Sequence, residues 1–346
     1  MRAMRLTRPG DHPAFAHVDV PDPVAGHGEV VVGVVTAALN RRDWWIWRQA
    51  DAVAPVTLGS DAAGVVVSVG AGVDTVAPGD QVVINPTLGW DPGEHIPAET
   101  FEILGSPRDG TLAQQVVVPA ANVAPRPAAL SWEESAALSL AGLTAWRAAV
   151  TCAGAGPGRR ILITGAGSGV ATFAVQIAAA VGSEVWVTTS SEAKLARLRE
   201  LGARGGVLYT EPAPSRRWPE GWGSGLLATA GGPFDAVVDS WGAEGWEQAL
   251  QSLRWGGVLV NFGDTGGETS IIPVSEVYWA WRSIVGTTMG SPEEYGALLA
   301  HLAGHDWRPV IDSVHDITDL DAAARRLVDR DRFGKVVLRV TDPPAA

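Results

Sequence analysis

Hydrophobic residues in the middle of the chain change their period within a few positions. Residues 161–164 read Ile-Leu-Ile-Thr, and glycines follow at positions 165, 167 and 169. Apolar side chains then return every three or four residues, at Val170, Phe173, Ala174, Ile177 and Val181. This change of period predicts a strand, a glycine turn and a helix. Such a turn suits a dinucleotide pyrophosphate, because glycine lets the backbone approach the phosphates and the helix N-terminus is electropositive.

This turn supplies the first candidate cofactor-binding residues, Gly165, Gly167, Ser168, Gly169 and Val170. The strict Gly-x-Gly-x-x-Gly pattern has glycine where this chain has Val170. A tight strand-to-helix connection without a ligand would look similar, so the surrounding pattern matters. Strand patterns at 234–240, 257–263 and 283–289 alternate with helical ones, as in a doubly wound parallel sheet. Asp239 and Gly263 end two of these strands, where ligands bind in open α/β sheets, and both join the candidates, although either could equally be a turn former.

The first third of the chain has a different pattern. Short strands with Val-rich runs lie between Gly, Pro and Asp turns, at 29–36, 64–69, 80–84 and 115–118. Short strands separated by turn residues predict a β-rich domain. The sequence therefore predicts two folding units, one β-rich and one of the Rossmann α/β type.

Composition limits the kinds of molecule that the protein can bind and indicates the cellular compartment in which it works. The chain has 346 residues, enough for two domains, and a formal net charge of −12 with no long basic run. Nucleic acid and anionic membrane are therefore poor partners. A single cysteine, Cys152, excludes an internal disulfide and a Cys-rich metal site. No apolar run reaches the roughly 18 residues of a membrane helix. We expect a cytoplasmic protein that acts on a small molecule.

Five ordered motifs resemble the medium-chain dehydrogenase/reductase superfamily. They lie at residues 38–43, 59–73, 78–82, 138–146 and 333–338, and the glycine turn keeps its place among them. The resemblance covers nearly the whole chain. It implies a GroES-like catalytic domain from residues 1–127 and 290–346 and a Rossmann dinucleotide-binding domain from 128–289. It also implies a homodimer.

The departures from this superfamily concern its metal. Zinc-dependent members place a metal ligand at each of four positions, which here are occupied by Asn40, Ser60, Asp61 and Leu140. One carboxylate and one amide make a poor tetrahedral zinc site, which favours imidazole or thiolate. Residues 85–105, which match the structural-zinc lobe, contain no cysteine. The chain therefore most resembles the zinc-free quinone oxidoreductase branch, and we expect no bound metal.

The second Rossmann strand indicates which nicotinamide coenzyme binds. An NAD site commonly ends this strand in Asp or Glu, whereas residues 188–191 are Thr-Thr-Ser-Ser. Ser190 could donate to a 2′-phosphate and Lys194 could neutralise it, which favours NADP(H). Each has an ordinary alternative, a helix cap for Ser190 and a solvated surface for Lys194. We also expect Thr189 and Glu192 to form a capping box at the start of the next helix.

The resemblance adds further residues around the coenzyme. Tyr209 keeps the spacing at which NADPH-binding quinone oxidoreductases combine Ser, Lys and Tyr. Trp44, Trp45 and Thr144 match positions that line the cofactor and the cleft. Lys335, within a Gly-Lys motif near the C-terminus, matches a lysine on the cofactor side, although a surface lysine is equally possible.

Without zinc, no Lewis acid polarises a carbonyl group. Reduction of a conjugated C=C bond or a quinone is less demanding, since conjugation spreads the developing charge and the site needs only positioning and a hydrogen-bond donor. Asn40 is the candidate donor, Asp43 orients it or shapes the nicotinamide pocket, and Trp44 completes the catalytic set. A turn or salt bridge would equally explain Asp43. The tryptophans favour a bulky or aromatic substrate.

Two alternatives stay open. The same scaffold could reduce carbonyl groups or imines without zinc, which would appear as turnover of saturated ketones or cyclic imines. It could also bind NADPH without catalysis, which would appear as binding without turnover against any acceptor. The sequence favours an NADPH-dependent enone, enal or quinone reductase.

Overall fold

The computed structural model describes residues 1–8, 13–49, 57–209, 222–242 and 245–344. The chain forms two compact units: unit 1 contains Met1–Leu143 and Ser291–Ala346, and unit 2 contains Thr144–Gly290. We keep the predicted domain limits at residues 127 and 290 as a proposal, because compact units and folding domains need not end at the same residue. Each unit is described below by itself.

The strands are numbered in chain order. They are β1 (Arg2–Arg8), β2 (Ala14–Asp19), β3 (Glu29–Leu39), β4 (Asp61–Val69), β5 (Gln81–Ile84), β6 (Thr87–Leu88), β7 (Glu102–Ile103), β8 (Gln115–Pro119), β9 (Val123–Pro125), β10 (Arg160–Ile163), β11 (Glu184–Thr189), β12 (Ala203–Leu208), β13 (Phe234–Asp239), β14 (Leu253–Asn261), β15 (Ser283–Gly286), β16 (Ile311–Asp316) and β17 (Lys335–Arg339).

The helices are likewise numbered in chain order. They are α1 (Arg41–Arg48), α2 (Trp132–Trp146), α3 (Gly169–Ala180), α4 (Glu192–Glu200), α5 (Trp222–Ala230), α6 (Trp246–Gln251), α7 (Ser275–Tyr278), α8 (Pro292–Ala303) and α9 (Leu320–Val328). A π-helical turn, Arg147–Cys152, follows α2. Among the described residues, no helix has both the length and the apolar character that crossing a membrane requires.

Unit 1 is built on β3, the longest strand of its sheet. Described strands pair in the order β16-β17-β3-β4-β5-β9, and β8 also pairs with β3. Nearly every β3 residue is buried, which explains its almost continuous run of valine and alanine. Two registers matter for the site: Val336 of β17 lies opposite Leu39, and Asp61 of β4 lies opposite Ala38. The end of β3 and the starts of β4 and β17 therefore lie side by side.

A loop region between β5 and β8 contains the segment that matches the structural-zinc lobe. The buried Trp90 lies within this loop region. Its indole N–H donates to the Glu94 carbonyl at 2.9 Å, and its ring packs edge-on against Phe101. The Asn122 amide donates to the carbonyls of Asn85 and Thr87 at 3.0 and 2.6 Å. Packing and amide hydrogen bonds therefore fix this loop within the described residues.

Unit 2 contains a parallel sheet in the order β12-β11-β10-β13-β14-β15. Every described pair in it is parallel, and the strands alternate with helices. The strand order reverses at β10, which lies between β11 and β13, and ligands of open α/β sheets bind beside this point. This sheet, together with the β-rich unit 1, confirms the predicted fold class: a Rossmann doubly wound sheet and a GroES-like domain.

Candidate active site

The glycine turn of unit 2 lies directly after β10. Gly165 and Gly167 have φ angles of +61° and +127°, which side chains rarely adopt. Ser168 caps α3 by accepting from the Ala171 amide at 3.2 Å, and Gly169 begins the helix. The turn and the first residues of α3 therefore bring all five predicted phosphate-binding residues together, Val170 included.

Thr188 stabilises this turn, a role that no pattern in the sequence indicates. Its hydroxyl oxygen accepts from the Gly165 amide at 3.0 Å, and its carbonyl accepts from the Ala166 amide at 2.8 Å. The neighbouring Thr189 hydroxyl donates to the Ala166 carbonyl at 2.8 Å. The end of β11 thus fixes the backbone that would face the pyrophosphate. These residues fit a dinucleotide, which they would hold through backbone N–H groups at the start of α3.

The start of α4 differs from the predicted capping box. Ser191 is the N-cap, and its hydroxyl accepts from the Lys194 amide at 3.3 Å. The prediction that Thr189 and Glu192 form the cap is therefore wrong, because the Thr189 hydroxyl is used by the glycine turn. Ser190 is not the cap either, and it is exposed. Ser190 and the half-buried Lys194 thus lie within one helical turn of a strand end that carries no carboxylate.

Asp239 has a different environment from the one expected of a cofactor ligand. It is 2% exposed and accepts from the Thr164 hydroxyl, the Gly242 amide and the Trp246 indole, the last two at 2.9 Å. The Asn261 amide also donates to it at 3.1 Å, and to the Gly263 carbonyl at 2.7 Å. This geometry does not support the predicted coenzyme contact of Asp239. Its carboxylate instead joins the ends of β10, β13 and β14, and it sets the position of Gly263.

Two aromatic rings flank the same edge of the sheet. Tyr209 follows β12, donates its amide to the Thr189 carbonyl at 3.0 Å, and lies with its ring 5.5 Å from that of Trp241. A Cβ atom on Gly165 would lie 3.9 Å from Trp241. Predicted Tyr209 is thus near the glycine turn, and Trp241 is an addition that the sequence did not indicate.

Thr144 lies elsewhere in unit 2, on the last turn of α2. Its hydroxyl lies 4.0 Å from the Met289 sulfur and is buried. Within the described part of unit 2, the side-chain contact of Thr144 is with Met289 and not with the glycine turn. Its role toward the coenzyme stays a prediction.

A buried polar cluster in unit 1 contains Asn40, Asp61 and Lys335. The Lys335 ammonium donates to the Asn40 side-chain oxygen at 2.5 Å and to the Asp61 carboxylate at 2.9 Å. The Asn40 amide donates to the same carboxylate at 2.9 Å, and the Leu140 backbone amide donates to its second oxygen at 2.7 Å. All three side chains are at most 6% exposed. Lys335 is therefore the centre of an internal ion pair and not a surface lysine.

This cluster bears on the roles predicted for Asn40 and Lys335. The Asn40 amide nitrogen already donates within the protein, to Asp61 and, at 3.5 Å, to the Ala38 carbonyl. The contact with Asp61 uses one of its N–H bonds, whereas the contact with Ala38 is at the limit of hydrogen-bond distance, so its role as the donor to a substrate oxygen stays a prediction. Lys335 contacts this candidate catalytic residue, and its place near the coenzyme stays a prediction as well.

The four positions that match zinc ligands are all engaged inside the protein. The Ser60 hydroxyl donates to the Leu104 carbonyl at 2.7 Å and accepts from Arg42 at 2.9 Å, while Asn40 and Asp61 bind Lys335. Leu140 contributes only its backbone amide. Within the described ranges, no three His, Cys, Asp or Glu side chains lie close enough to hold a metal ion. These residues do not fit a catalytic zinc ion, since a cation would have to displace the Lys335 ammonium.

Asp43 caps the start of α1 from within the helix. Its carboxylate accepts from the Asn40 backbone amide at 2.7 Å, and it is fully buried. Burial raises the pKa of the Asp43 carboxyl, and the nearby charges of Arg42 and Lys335 offset this only in part. Its second oxygen has no partner among the described residues. Asp43 therefore orients the Asn40 backbone, as predicted in outline, but through the amide and not the side chain.

Trp44 and Trp45 lie next to each other on α1, with ring centres 4.5 Å apart. The guanidinium groups of Arg41 and Arg48 lie over the Trp44 ring, at 3.8 and 4.4 Å from its centre. Such cation–π contacts stabilise an aromatic ring where it stands. Contact of either tryptophan with the coenzyme or the substrate stays a prediction.

Comparison with known families matches both halves of the chain. Residues 26–128 match the alcohol dehydrogenase GroES-like domain, and residues 169–304 match the family described as zinc-binding dehydrogenase. A zinc-type alcohol dehydrogenase-like protein, YogA, from Leptosphaeria maculans is 34% identical over 93% of both chains. A quinone-oxidoreductase, QR1, from Triphysaria versicolor is 28% identical over 98% of both. A crotonyl-CoA reductase from Streptomyces avermitilis is 28% identical over 92% of this chain and 80% of its own.

Solved structures give the same result. A protein described as an NAD-dependent alcohol dehydrogenase is 36% identical, with a TM-score of 0.88 over 99% of this chain and 100% of its own. The crotonyl-CoA carboxylase/reductase AntE, solved in complex with NADP, has a TM-score of 0.88 over 99% of this chain and 95% of its own. AntE is 22% identical, so its likeness shows the fold alone.

Proposed function

Because this chain belongs to the medium-chain dehydrogenase/reductase superfamily, we propose that it is a zinc-independent, NADPH-dependent reductase of activated C=C bonds or quinones. It is an oxidoreductase, as its relatives are. One observation carries the finer proposal: the residues at the metal-ligand positions bind Lys335, Arg42 and one another. A site without a Lewis acid suits acceptors whose own conjugation spreads the developing charge.

The coenzyme is NADP(H). When bound, the reduced nicotinamide supplies the hydride that the acceptor receives. The turn from Gly165 to Val170 would hold the pyrophosphate, and Ser190 and Lys194 would bind the 2′-phosphate beside a neutral strand end. The 36% identical structure is described as NAD-dependent, so coenzyme choice is a direct test of this assignment.

Coenzyme preference is tested with the wild-type chain and Lys194→Met. We expect kcat/KM for NADPH to exceed that for NADH by at least about tenfold, since the 2′-phosphate gains a charge-assisted contact. In Lys194→Met the KM for NADPH rises several-fold while that for NADH changes little. A wild-type preference for NADH would contradict the assignment.

The reaction is tested by following absorbance at about 340 nm with NADPH and a panel of quinones, enones, enals, saturated ketones, aldehydes and cyclic imines. Turnover of conjugated acceptors, with saturated ketones at least about a hundredfold slower, is the expected result. It follows from the proposed zinc independence, because an isolated carbonyl group would then lack a Lewis acid to polarise it. Steady turnover of saturated ketones or imines with none of enones would overturn the proposal.

That second outcome describes the alternative function, a zinc-independent carbonyl or imine reductase. It is favoured by the names of two similar proteins, both of the alcohol dehydrogenase type. The crotonyl-CoA reductase and quinone-oxidoreductase relatives favour the first function. The same panel separates the two.

The enzyme is a homodimer formed through unit 2. β15 ends the described sheet and pairs only with β14, which leaves an edge able to pair with another strand. Among the described residues eleven large hydrophobic side chains are exposed, and seven of them lie on β14, on β15 or between these two strands: Trp255, Ile271, Val274, Tyr278, Trp279, Trp281 and Ile284. A two-fold axis beside β15 would bury the same surface on both copies.

Light scattering after size exclusion tests this state. The wild-type chain should elute with twice the mass of one chain, and Ile284→Lys should reduce that mass to one chain because a charge on an edge strand opposes pairing. Val67→Lys, which changes another exposed hydrophobic residue on unit 1, serves as the control. A monomeric wild type would contradict the proposed dimer.

A further inference from the structure

One N–H bond of the Lys335 ammonium makes no hydrogen bond with the described residues. An ammonium group carries three N–H bonds. Two of them donate to Asn40 and Asp61, at 2.5 and 2.9 Å. Among the described residues no acceptor lies within hydrogen-bond distance of the third. In a side chain only 2% exposed, an unused charged donor is expensive unless another molecule accepts from it.

The ammonium is held in place from several directions. Asp61 is fixed by the Leu140 amide and by Asn40, and Asn40 is fixed at its backbone by Asp43. The strand registers place the end of β3 between the starts of β4 and β17, so the three residues meet although up to 295 positions separate them. A donor fixed before the reaction costs no reorganisation when charge develops, which is the condition for electrostatic catalysis.

The choice of lysine is also informative. The chain has 26 Lys and Arg residues, of which only Lys194 and Lys335 are lysine. Arginine is the basic residue of this chain almost everywhere else, ion pairs included. A guanidinium carries five N–H bonds in a flat fork, whereas an ammonium is a compact point charge. The space between Asn40 and Asp61 is thus occupied by the more compact of the two kinds of cationic side chain.

We propose that the third N–H of Lys335 donates to the acceptor's oxygen and stabilises the negative charge that develops there, as a hydrogen-bond donor and not as a Lewis acid. This inference rests on the proposed function. The acceptor gains a hydride from NADPH at the β-carbon, its C=C π electrons move toward the carbonyl, and the oxygen becomes negative. Lys335 keeps its proton and stabilises that oxygen by hydrogen bonding. The α-carbon then takes a proton from water, which leaves the saturated product and NADP⁺.

The first test removes the donor without leaving a buried charge. Lys335→Met alone would strand the Asp61 carboxylate, so the informative variant is Lys335→Met with Asp61→Asn. We expect this double variant to bind NADPH within about threefold of wild type, by fluorescence titration, and to lose at least about a hundredfold in kcat, the typical loss for one oxyanion donor. A kcat within threefold of wild type would overturn the proposal.

A matched control removes a different ion pair of unit 1, in which a buried carboxylate meets an arginine that is partly exposed. Arg326 donates to both oxygens of Asp312, at 2.6 and 2.7 Å. Arg326→Met with Asp312→Asn should destabilise the chain comparably and leave kcat within about twofold. A loss of kcat as large as that of the Lys335 variant would show that any loosening of unit 1 abolishes turnover, which would also overturn the assignment.

The second test observes Lys335 directly and does not need turnover. With lysine labelled at the side-chain nitrogen, NMR shows two lysine side chains, Lys194 and Lys335. The saturated product, added to the NADP⁺ complex, should shift the Lys335 signal and leave Lys194 unchanged. NADP⁺ alone should shift Lys194. An unchanged Lys335 signal at saturating product would contradict the proposal.

These readouts separate the inference from the proposed function. If the wild-type chain reduces only saturated ketones, the function proposed above is wrong. A hundredfold loss of that activity in the Lys335 double variant would still support Lys335 as the donor. If conjugated acceptors are reduced equally well by wild type and the double variant, the function holds and the role of Lys335 is rejected.

Discussion

Asp61 in unit 1 and Asp239 in unit 2 are both buried carboxylates, yet the protein compensates them by different means. Asp239 accepts only from neutral groups: a hydroxyl, a backbone amide, an indole and a side-chain amide. Asp61 accepts from an ammonium, an amide and a backbone N–H. Every donor around Asp239 belongs to a closed network that joins strand ends. The cluster around Asp61 contains a cation with one donor still unused.

This difference separates a structural carboxylate from one that supports chemistry. A closed network of neutral donors stabilises one arrangement of the backbone and offers nothing to a ligand. A buried ion pair contributes little net stability, because desolvation offsets most of its attraction. We therefore interpret the Asp239 network as structural. The Lys335 cluster has a large desolvation cost and adds little net stability, and we explain its presence by the role proposed for Lys335 in the reaction.

The largest expected effect comes from breaking the ion pair on one side. Asp61→Asn should cost about 3 to 5 kcal/mol of unfolding free energy, because it leaves the Lys335 charge buried without a counter-charge. Adding Lys335→Met should restore at least half of that loss. Urea titrations of the two single variants and the double variant measure the coupling. A coupling energy below about 0.5 kcal/mol would mean that the two charges do not compensate each other.

Asp239→Ala should be the next largest change. It removes the acceptor of four internal donors, and we expect a loss of about 3 kcal/mol, with Asp239→Asn losing less because its amide oxygen still accepts. Urea unfolding and NADPH titration are measured together. If Asp239→Ala were as stable as wild type but failed to bind NADPH, the originally predicted coenzyme contact would be correct and the contrast with Asp61 would fail.

Asp312 provides an intermediate case, a carboxylate paired with an arginine near the surface. Burial alone would raise the pKa of Asp312, but hydrogen bonds from Arg326 and from the Phe333 amide outweigh it and lower the pKa below its usual value. A carboxyl group with a lowered folded-state pKa stabilises the protein above its unfolded pKa of about 3.9, and this contribution is lost as the pH falls. Asp312→Asn should therefore lose about 1 to 3 kcal/mol at pH 7 and progressively less below about pH 4.

The measurement is a series of thermal or urea unfolding curves for wild type and Asp312→Asn from pH 7 to pH 3. The difference in stability should shrink as the pH falls. A difference that is constant with pH would show that shape, and not the ionised carboxylate, accounts for the role of Asp312.

The smallest expected effect is that of metal removal. Incubation with a strong chelator should leave kcat within about twofold, since the Lys335 ammonium lies among the residues that would bind a catalytic metal. Elemental analysis of the purified chain measures bound zinc. If the chelator abolished activity and added Zn²⁺ restored it, a metal would take part in the reaction. Our interpretation of the difference between Asp61 and Asp239 would then be wrong.

Much of unit 2 could be predicted from the sequence because its signals are local. The glycine turn, the capping position at Ser168 and the alternation of strands with helices each depend on residues a few positions apart. The lack of a carboxylate at the end of β11 could likewise be predicted, because it depends only on the residues of that strand and those directly after it. The cap of α4 was misjudged by two residues, because the Thr189 hydroxyl is taken by Ala166, which lies 23 positions away.

The candidate site in unit 1 could be predicted only in part. The lack of the usual zinc ligands at Asn40, Ser60, Asp61 and Leu140 follows from the superfamily resemblance, which gives the four positions, together with the residue types found there. That Lys335 takes their place does not follow from either, because no pattern along the chain links residues 274 and 295 positions apart. For Asp239 the sequence shows only its place at a strand end, which is a local property, whereas the number of donors that reach its carboxylate depends on three other segments.

The two-part α/β architecture can be predicted from the sequence alone, because hydrophobic period and glycine placement are properties of short stretches, and the superfamily motifs add the lack of the usual metal ligands. Which polar groups form hydrogen bonds inside the protein, and which remain available to a ligand, depends on the tertiary structure. The physical reason is strand register, because register sets which distant side chains lie together in one buried space. Burial then sets how much free energy a polar group loses when it has no hydrogen bond or ion pair.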